Sequence, residues 1–247
     1  MRSLFESGRK IVVSLQPVVR RGDLQFIKKS RRLFLYFVGD ETDIGQLWNP
    51  DRVICYLDCF FLLLPEQYNQ QQVLWKDFYH CFGIDYEMLI DKGHNLKCMN
   101  KLLDYIVEKM PQNVRNVQIL DYGCGSGLSV LCRRGMTITG FDKVSQMSTQ
   151  AEDRGMHVLH DREIQCVPDE FFDAVFSSYV FHMGITQEDI AKIIPKMKKG
   201  AIWVANYYKD INVNIVNKMF LKKQFCVKKI LSDDERFGSI YEYKQSG

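Results

Sequence analysis

Short apolar runs alternate with amphipathic stretches from Val117 to the end of the chain. The short runs have the length and composition of β-strands, and the longer stretches have the spacing of amphipathic helices. The predicted strands are Val117–Leu120, Thr137–Phe141, His157–His160, Phe172–Ser177, Ala201–Ala205, Phe225–Ile230 and Ser239–Lys244. The predicted helices run from the turn after Leu120 to about Arg134, and over Ser145–Arg154, Gln187–Met197 and Val213–Leu221.

This alternation is typical of an α/β fold with a mostly parallel sheet and helices on both faces. The stretch Phe172–Ser177 is largely apolar, as expected of a strand that is covered on both sides. The last two strands follow one another without a helix, which predicts an antiparallel strand at the C-terminal end. We therefore expect residues 96–247 to form a Rossmann-like core with a seven-stranded sheet.

Residues 1–95 show a more mixed pattern. The stretch Ile54–Leu64 is apolar apart from Asp58 and is interpreted as a buried helix that is too short to cross a bilayer. We expect this part of the chain to be a mixed or helical cap segment over the carboxyl edge of the sheet, where it would bind substrate. Its other predicted elements, with the helix that leads into the core, are strands at Lys10–Val19, Leu24–Ile27 and Leu33–Val38, a helix cap at Gly39–Asp43, and helices at Leu74–Ile90 and Leu96–Lys109.

Composition narrows the class of protein. With 247 residues, 46% of them hydrophobic and 26% charged, the chain suits one large globular domain with a smaller attachment. Its formal net charge of +3 neither demands nor excludes a nucleic-acid partner. The eight cysteines form no C-x-x-C pair, so we interpret them as free thiols in a reducing compartment, with no metal site. Because Met1–Lys10 lacks the apolar stretch of a secretory signal, we expect a cytoplasmic protein without a membrane partner.

Three alternate glycines after the first core strand are the most informative motif, in the run Asp121-Tyr122-Gly123-Cys124-Gly125-Ser126-Gly127. Glycine has no Cβ and adopts positive φ readily, so Gly123 and Gly125 allow a ligand to lie against the main chain. Gly127 would allow close packing of the following helix. Strand–turn–helix units of this kind hold nucleotide-like cofactors, with the polar end of the cofactor at the helix N-terminus. The dinucleotide fingerprint G-x-G-x-x-G has its third glycine one residue later than this chain.

This motif, with an acidic residue two positions before the first glycine, resembles motif I of the class I S-adenosylmethionine-dependent methyltransferases. The resemblance covers Leu96–Lys244 and implies S-adenosyl-L-methionine as the cofactor. It also implies that Asp121 and the turn, including Tyr122 and Cys124, position the methionine part of that cofactor. A strand–turn–helix without any ligand is the structural alternative.

Two further acidic residues follow the next two predicted strands. Asp142, followed by Lys143, stands where Rossmann-like folds have the carboxylate that accepts hydrogen bonds from ribose hydroxyls. Asp161 and Arg162 follow the third strand, and in the family resembled this loop borders the adenine. The alternatives are a helix N-cap for Asp142 and a solvated turn for Asp161.

The segment Phe172–Met183 resembles motif IV of the same family. Ser177 and Ser178 are at the carboxyl edge of this strand, where the methyl group should face the substrate. His182 is the candidate general base, because the pKa of an imidazole lies near the working pH, although a structural or cofactor contact is equally compatible with the sequence. The chain lacks the Asn-Pro-Pro-Tyr or Asp-Pro-Pro-Tyr motif of enzymes that methylate base amines or glutamine amides.

Aromatic and basic residues complete the candidates. The predicted walls of the substrate pocket are Tyr86, Tyr179, Tyr207 and Tyr208, although such residues also occur in protein cores. A predicted aromatic lid consists of Trp75, Tyr79, Tyr86 and His94. The basic cluster, which is either a face that follows a phosphate backbone or a solvated surface, consists of Arg9, Lys10, Arg20, Arg21, Lys28, Lys29, Arg31 and Arg32.

We expect a methyltransferase that transfers a methyl group to oxygen or nitrogen of a small molecule by in-line displacement. An RNA or protein methyltransferase is the alternative within the enzyme class. A non-catalytic partner subunit that binds the cofactor is the alternative outside it, and the glycine turn alone also allows a dehydrogenase.

Overall fold

The structure is a computed structural model that describes residues 9–18, 24–39, 52–111, 116–132, 135–232 and 234–245. The chain divides into two compact units, Met1–Ile90 and Asp91–Gly247. The predicted boundary after residue 95 falls inside a helix that belongs to the second unit. Residues 40–43 of the predicted helix cap lie outside the described residues.

The first unit is built on a five-stranded sheet with the strand order β2-β3-β1-β5-β4. Strands β1 and β5 are parallel, and the other neighbours are antiparallel. The strands are β1 Ile11–Ser14, β2 Leu24–Ser30, β3 Leu33–Val38, β4 Val53–Tyr56 and β5 Phe60–Leu63. The helices are α1 Tyr68–Phe82 and α2 Tyr86–Leu89, joined by a 3₁₀ turn at Gly83–Asp85.

The predicted buried helix at Ile54–Leu64 is wrong, because this stretch forms most of the β4–β5 hairpin. Leu57 and Asp58 adopt positive φ values of 52° and 57° and reverse the chain direction. On both strands every second side chain is buried, which is the period of a sheet and not of a helix.

Helix α1 covers one face of this sheet with aromatic side chains. The rings of Phe60 and Phe78 meet edge to face at 4.9 Å, and Tyr56 and Trp75 do so at the same distance. Trp75 and Tyr79, two residues of the predicted aromatic lid, are 2% and 6% exposed and belong to this core.

The second unit contains the predicted core. Its strands are β6 Val117–Tyr122, β7 Met136–Phe141, β8 His157–Leu159, β9 Phe172–Ser177, β10 Met197–Tyr207, β11 Phe225–Ile230 and β12 Ser239–Gln245. Its helices are α3 Lys92–Lys109, α4 Ser145–Asp153, α5 Glu163–Cys166, α6 Gln187–Ile193 and α7 Val213–Lys222. Short 3₁₀ segments are Leu128–Cys132, Phe181–Met183, Ile194–Lys196, Tyr208–Asp210 and Glu235–Phe237.

The seven strands are ordered β11-β12-β10-β9-β6-β7-β8. Strands β6 to β10 are parallel, and β12 lies antiparallel between β10 and β11. The predicted Rossmann-like α/β sheet with an antiparallel C-terminal strand is therefore confirmed. In this order β6 lies between β7 and β9, which brings the carboxyl ends of these three strands together.

The helix predicted after the glycine turn is absent from the described residues, which exclude 133 and 134. A five-residue 3₁₀ segment, Leu128–Cys132, occupies its place. The N–H of Gly127 donates to the carbonyl of Cys124, and the N–H of Val130 donates to that of Gly127. This three-residue spacing winds the chain more tightly than an α-helix does.

None of the helices in the described part of the chain combines the length and hydropathy needed to span a bilayer. All eight cysteines are free thiols. Within the described ranges, no three His, Cys, Asp or Glu side chains are grouped in a way that could hold a metal ion.

Candidate cofactor site

The glycine turn lies at the carboxyl edge of the sheet, between two neighbouring strands. Asp121 on β6 is opposite Gly140 on β7 and Phe176 on β9. The N–H of Gly123 donates to the carbonyl of Phe141 at 2.7 Å, and the N–H of Cys124 does so at 3.1 Å. The turn is thus bonded directly to the end of β7.

Asp142 joins the turn from the next strand. Its Oδ2 accepts a hydrogen bond from the N–H of Gly125 at 2.9 Å, and its Oδ1 accepts one from the N–H of Val144 at 2.8 Å. A carboxylate oxygen has a second lone pair, so both oxygens can also accept ribose hydroxyls. Burial raises the pKa of Asp142 to about 6, and the N–H groups of Val144 and Gly125 oppose that shift.

The three glycines of the turn serve different purposes. A Cβ on Gly123 would lie 2.4 Å from Cγ2 of Val180, and one on Gly127 would lie 2.8 Å from Cα of Ala151. A Cβ on Gly125 would meet only Cε of Met147, at an ordinary contact distance of 3.5 Å. Packing within the protein therefore requires the first and third glycines, whereas the main chain at Gly125 leaves room for a ligand.

The hydrogen bonds of the turn match a particular class of cofactor. The N–H groups of Gly123, Cys124, Gly125 and Gly127 all donate to protein oxygens. A pyrophosphate needs free N–H donors and a helix N-terminus, and a five-residue 3₁₀ segment follows this turn instead. A nucleoside without phosphate, such as S-adenosyl-L-methionine, fits these residues better than a dinucleotide.

Asp121 is the second carboxyl at the turn, and it is only 1% exposed. Burial raises the pKa of Asp121 to about 7; the charge of Asp142 adds to the shift, while the Ser129 hydroxyl, donating at 2.5 Å, opposes it. A ligand with positive charge would favour the ionised carboxylate, so this pair of acids fits a sulfonium compound that carries an amine.

Two residues predicted at the turn have their side chains in the protein core. The ring of Tyr122 stacks on Phe141 with 5.5 Å between centroids, and burial, together with the nearby charge of Asp189, raises the pKa of its phenol well above the ordinary value. The thiol of Cys124 is buried, and burial raises its pKa well above the ordinary value. Both residues thus meet the turn through their main chain.

Three further predicted residues follow β7 and β8. The ammonium of Lys143 forms an ion pair with Asp189, with 2.5 Å between Nζ and Oδ2. Asp161 and Arg162 are exposed in the turn that leads into α5. Because β8 pairs with β7, this turn is adjacent to the Asp142 loop at the same edge of the sheet.

The end of β9 holds its two serines differently from the prediction. The hydroxyl of Ser177 accepts a hydrogen bond from Nε1 of Trp203 at 3.0 Å and is fully buried. Ser178 is 8% exposed, and its buried hydroxyl has no hydrogen-bond partner among the described residues. The structure therefore places the Ser177 side chain in the core, away from the turn edge.

His182 is completely buried within the 3₁₀ segment Phe181–Met183. Its ring lies beside Tyr208, with 5.6 Å between centroids, and its carbonyl accepts a hydrogen bond from the Asn212 amide. Burial lowers the pKa of the imidazole to about 3, so the ring is neutral at neutral pH and a weak base.

The four predicted pocket tyrosines are not all at the same place. Tyr207 is fully buried, with its hydroxyl 2.6 Å from that of Tyr243 in the core. Tyr208 is half-buried beside His182. Tyr86 lies in the first unit, where its ring contacts Tyr79 at 5.5 Å.

Tyr179, the fourth, is half-buried directly after β9 with a φ of 57°. Its hydroxyl lies 2.9 Å from Nε2 of His94, whose ring stacks against Phe237 at 5.1 Å. Val180, the next residue, is the one that packs against Gly123. The residue that follows Tyr179 in the chain therefore contacts the glycine turn directly.

Sequence reasoning missed Asn206 and Asp189. Asn206 is fully buried on β10; its Oδ1 accepts the N–H of Tyr179 and its Nδ2 donates to the carbonyl of Phe237, both at 2.8 Å. Asp189 forms a capping box with Thr186 at the start of α6. The Thr-x-x-Asp spacing before an apolar run was a visible signal for that cap.

The basic cluster of the first unit is partly engaged in local contacts. Arg32 forms two hydrogen bonds to the buried carboxylate of Asp77, at 2.7 and 3.0 Å. The ammonium of Lys10 lies over the ring of Phe61, and that of Lys29 lies over Phe34. Two further predicted members, Arg20 and Arg21, lie outside the described residues.

Residues 119–200 match the family model of a methyltransferase domain. No curated protein matches the chain. These matched residues contain the glycine turn, Asp142, most of β6 and all of β7, β8 and β9, which are the parts that form the site described above.

Similar folds occur in solved methyltransferases. The 1,6-didemethyltoxoflavin-N1-methyltransferase of Burkholderia thailandensis has a TM-score of 0.51 and 12% identity, covering 74% of this chain and 92% of its own. Magnesium protoporphyrin IX methyltransferase of Synechocystis PCC 6803 has a TM-score of 0.50 and 15% identity, covering 71% and 97%. The CurJ carbon methyltransferase has a TM-score of 0.50 and 11% identity, covering 92% and 77%.

These likenesses concern the fold, and the family model matches the segment that carries the glycine turn and Asp142. The family model and these folds agree with the predicted methyltransferase family and with the predicted cofactor. Residues 119–200 therefore match a methyltransferase domain, within a sheet that has the fold of solved methyltransferases.

Proposed function

We propose that this chain transfers the methyl group of S-adenosyl-L-methionine to an oxygen or nitrogen of a small-molecule acceptor. The observation that carries the proposal is the arrangement of two carboxyls, the buried Asp121 and the half-buried Asp142, beside a glycine turn whose glycine N–H groups are already bonded. Acids in such a position suit a cationic nucleoside, and a methyl group on a sulfonium is the chemistry that this cofactor supplies.

The protein residues then have to bind, orient and exclude water. Asp142 binds the ribose hydroxyls through its remaining lone pairs, and ionised Asp121 balances the positive charge of the cofactor. The open main chain at Gly125 admits the ligand. Tyr179, which follows β9 and is hydrogen-bonded to His94, borders the acceptor.

The proposal assigns no proton transfer to His182. With a pKa of about 3, this imidazole is too weak a base to remove a proton from an alcohol or an ammonium group near neutral pH. An amine acceptor with a free lone pair needs no such base before the methyl group is transferred. The other predicted site residues, Asp161 and Arg162, are proposed to border the adenine.

Two observations support a small acceptor. The residues after β9 are Ser178, Tyr179 and Val180, and not the Asn-Pro-Pro-Tyr motif associated with base amines or glutamine amides. Two of the similar structures are named for small molecules, a toxoflavin precursor and magnesium protoporphyrin IX.

The test is acceptor-dependent formation of S-adenosylhomocysteine. Purified protein is incubated with the cofactor and with separate panels of phenols, amines, carboxylic acids and nitrogen heterocycles. We expect at least one panel to raise product formation above the acceptor-free rate. If the cofactor binds but no panel does so, the non-catalytic partner subunit becomes the better interpretation.

RNA methylation is a second candidate, favoured by the charge of the first unit. Described residues 9–18 and 24–39 contain six cationic side chains and no acidic one. Fluorescence anisotropy with a labelled oligouridylate, at two salt concentrations, tests this candidate. Salt-sensitive binding that Lys28→Glu with Lys29→Glu removes would favour RNA, whereas no binding at low salt would eliminate it.

A further inference from the structure

Asp189 is a buried carboxylate beside the candidate cofactor site, 4% exposed. Its Oδ2 accepts the N–H of Thr186 at 2.8 Å and pairs with Nζ of Lys143 at 2.5 Å. Tyr122 lies near the same carboxylate, whose negative charge adds to the burial that raises the pKa of the Tyr122 phenol. A buried charge requires partners, so Thr186 and Lys143 hold Asp189 in place and are held by it.

These neighbours of Asp189 come from separate segments that meet at the site. Tyr122 immediately precedes Gly123 of the glycine turn, and Lys143 immediately follows Asp142. Thr186 begins helix α6 and forms the reciprocal capping box with Asp189. One carboxylate thus lies near the end of β6 and joins the loop after β7 to the start of a helix.

The loop after β7 has two anchors. On one side, the Asp142 carboxylate is bonded to the N–H groups of Gly125 and Val144. On the other side, Lys143 is held by Asp189. Residues 142–144 belong to no helix or strand, so these bonds limit how the carboxylate can turn.

We propose that Asp189, acting through Lys143, is a positioning residue that orients Asp142 toward the ribose of the cofactor. The inference rests on the proposed ribose role of Asp142. It also gives the predicted cofactor residue Lys143 an indirect role, because its ammonium is engaged by Asp189. A plain surface ion pair would contribute little to stability and nothing to ligand selectivity.

The experiment compares two ligands that differ in the ribose. Isothermal titration measures the dissociation constants of S-adenosylhomocysteine and of its 2′-deoxy analogue for the full chain and for each variant. The ligand that binds more weakly is measured by displacement. We expect Lys143→Gln and Asp189→Asn each to weaken S-adenosylhomocysteine about tenfold, the size of one lost hydrogen bond. The affinity for the 2′-deoxy analogue should fall clearly less, because this ligand keeps only one of the two ribose hydroxyls that Asp142 would bind.

Control variants separate positioning from folding. Lys192→Gln changes an exposed lysine on α6, the helix that carries Asp189, and should leave the affinities for both ligands unchanged. Lys143→Arg should keep most of the affinity, because it retains the positive charge. If Asp189→Asn fails to fold, Lys143→Gln still tests the ion pair, because it leaves the cap of α6 intact. The double variant should lose no more affinity for S-adenosylhomocysteine than the single variant that binds it less tightly, because both changes break the same contact.

Equal loss for the two ligands, or no loss for either, would overturn the inference. Unmeasurable binding of S-adenosylhomocysteine by the unmodified chain would instead reject the cofactor role of the site, and the proposed function with it.

Discussion

At the scale of single residues, the glycine turn separates a ligand-facing position from packing positions. Gly125 has a φ of 55° and free space around its Cα, whereas Gly127 is pressed against Ala151 of α4. A side chain at Gly125 would therefore project where a ligand approaches, and one at Gly127 would push two segments of the protein apart.

We predict that Gly125→Ala lowers the affinity for S-adenosyl-L-methionine at least about tenfold, with a stability loss of about 1–2 kcal/mol from its positive φ. Gly127→Ala should lose more stability, because about 1–3 kcal/mol of overpacking adds to the same strain. Titration calorimetry and urea unfolding on both variants provide the comparison. Equal affinity losses in the two folded variants would contradict the assignment.

Asp121 gives a prediction about pH. Its pKa is about 7 in the folded protein, above the unfolded value of 3.8, so the folded state binds the proton more tightly. The resulting stability is fully present below about pH 4 and is lost as the pH rises through about 7. The cofactor-free protein should lose up to about 4 kcal/mol across this window from Asp121 alone.

Asp121→Asn should flatten this part of the pH profile, because the amide cannot ionise. Urea unfolding at pH 5, 6, 7 and 8 compares the variant with the unmodified chain, both without cofactor. Asp142, with its pKa raised to about 6, should leave a smaller residual slope. Parallel profiles for the two proteins would show that Asp121 is not the titrating group.

The local parts of the site could be predicted from the sequence, and the distant contacts could not. The glycine turn and Asp142 were recognised because their roles follow from spacing along one strand–turn unit. Asp189 lies 46 residues from Lys143, and Asn206 lies 27 residues from Tyr179, so only the fold reveals these pairs. The burial that weakens His182 as a base is likewise a property of tertiary packing.

At the scale of elements, the end of β10 ties two loops to the carboxyl edge. The buried amide of Asn206 bonds the N–H of Tyr179 after β9 and the carbonyl of Phe237 before β12. Both loops would otherwise present unsatisfied polar groups to a buried position.

We predict that Asn206→Ala destabilises the protein by about 2–4 kcal/mol, because two backbone groups lose their partner. Asn214→Ala, at an exposed position of α7, should change stability by less than about 0.5 kcal/mol. Urea unfolding measures both. A similar, small effect for the two variants would mean that the amide bridge does not hold these loops.

Strands with a clear apolar run were predicted well, and the hairpin of the first unit was not. Phe172–Ser177 and Phe225–Ile230 have the predicted bounds, and Leu33–Val38 does too. The β4–β5 turn contains Leu57 and Asp58 but no glycine, proline or asparagine, so the single Asp58 is its only common turn residue. With so weak a turn signal, an apolar run of this length suits a helix equally well.

At the scale of the whole molecule, the two units differ in how far they can be interpreted. The second has a mostly parallel seven-stranded sheet and contains the candidate cofactor site, and the match to the methyltransferase-domain model falls entirely within it. The first is a five-stranded sheet covered on one face by α1, with its basic residues concentrated in the stretch from β1 to the start of β3. We propose that this unit contributes to the choice of acceptor.

The central claim is that the turn and the two carboxyls bind a sulfonium nucleoside. The most direct measurement is isothermal titration of the purified chain at pH 7.5, about half a unit above the pKa of Asp121, with S-adenosyl-L-methionine and NADH as separate ligands. We predict one site for the sulfonium compound, weakened by about 1–3 kcal/mol in Asp142→Ala, and no detectable binding of NADH. Binding of NADH alone, or an unchanged dissociation constant in Asp142→Ala, would contradict the account.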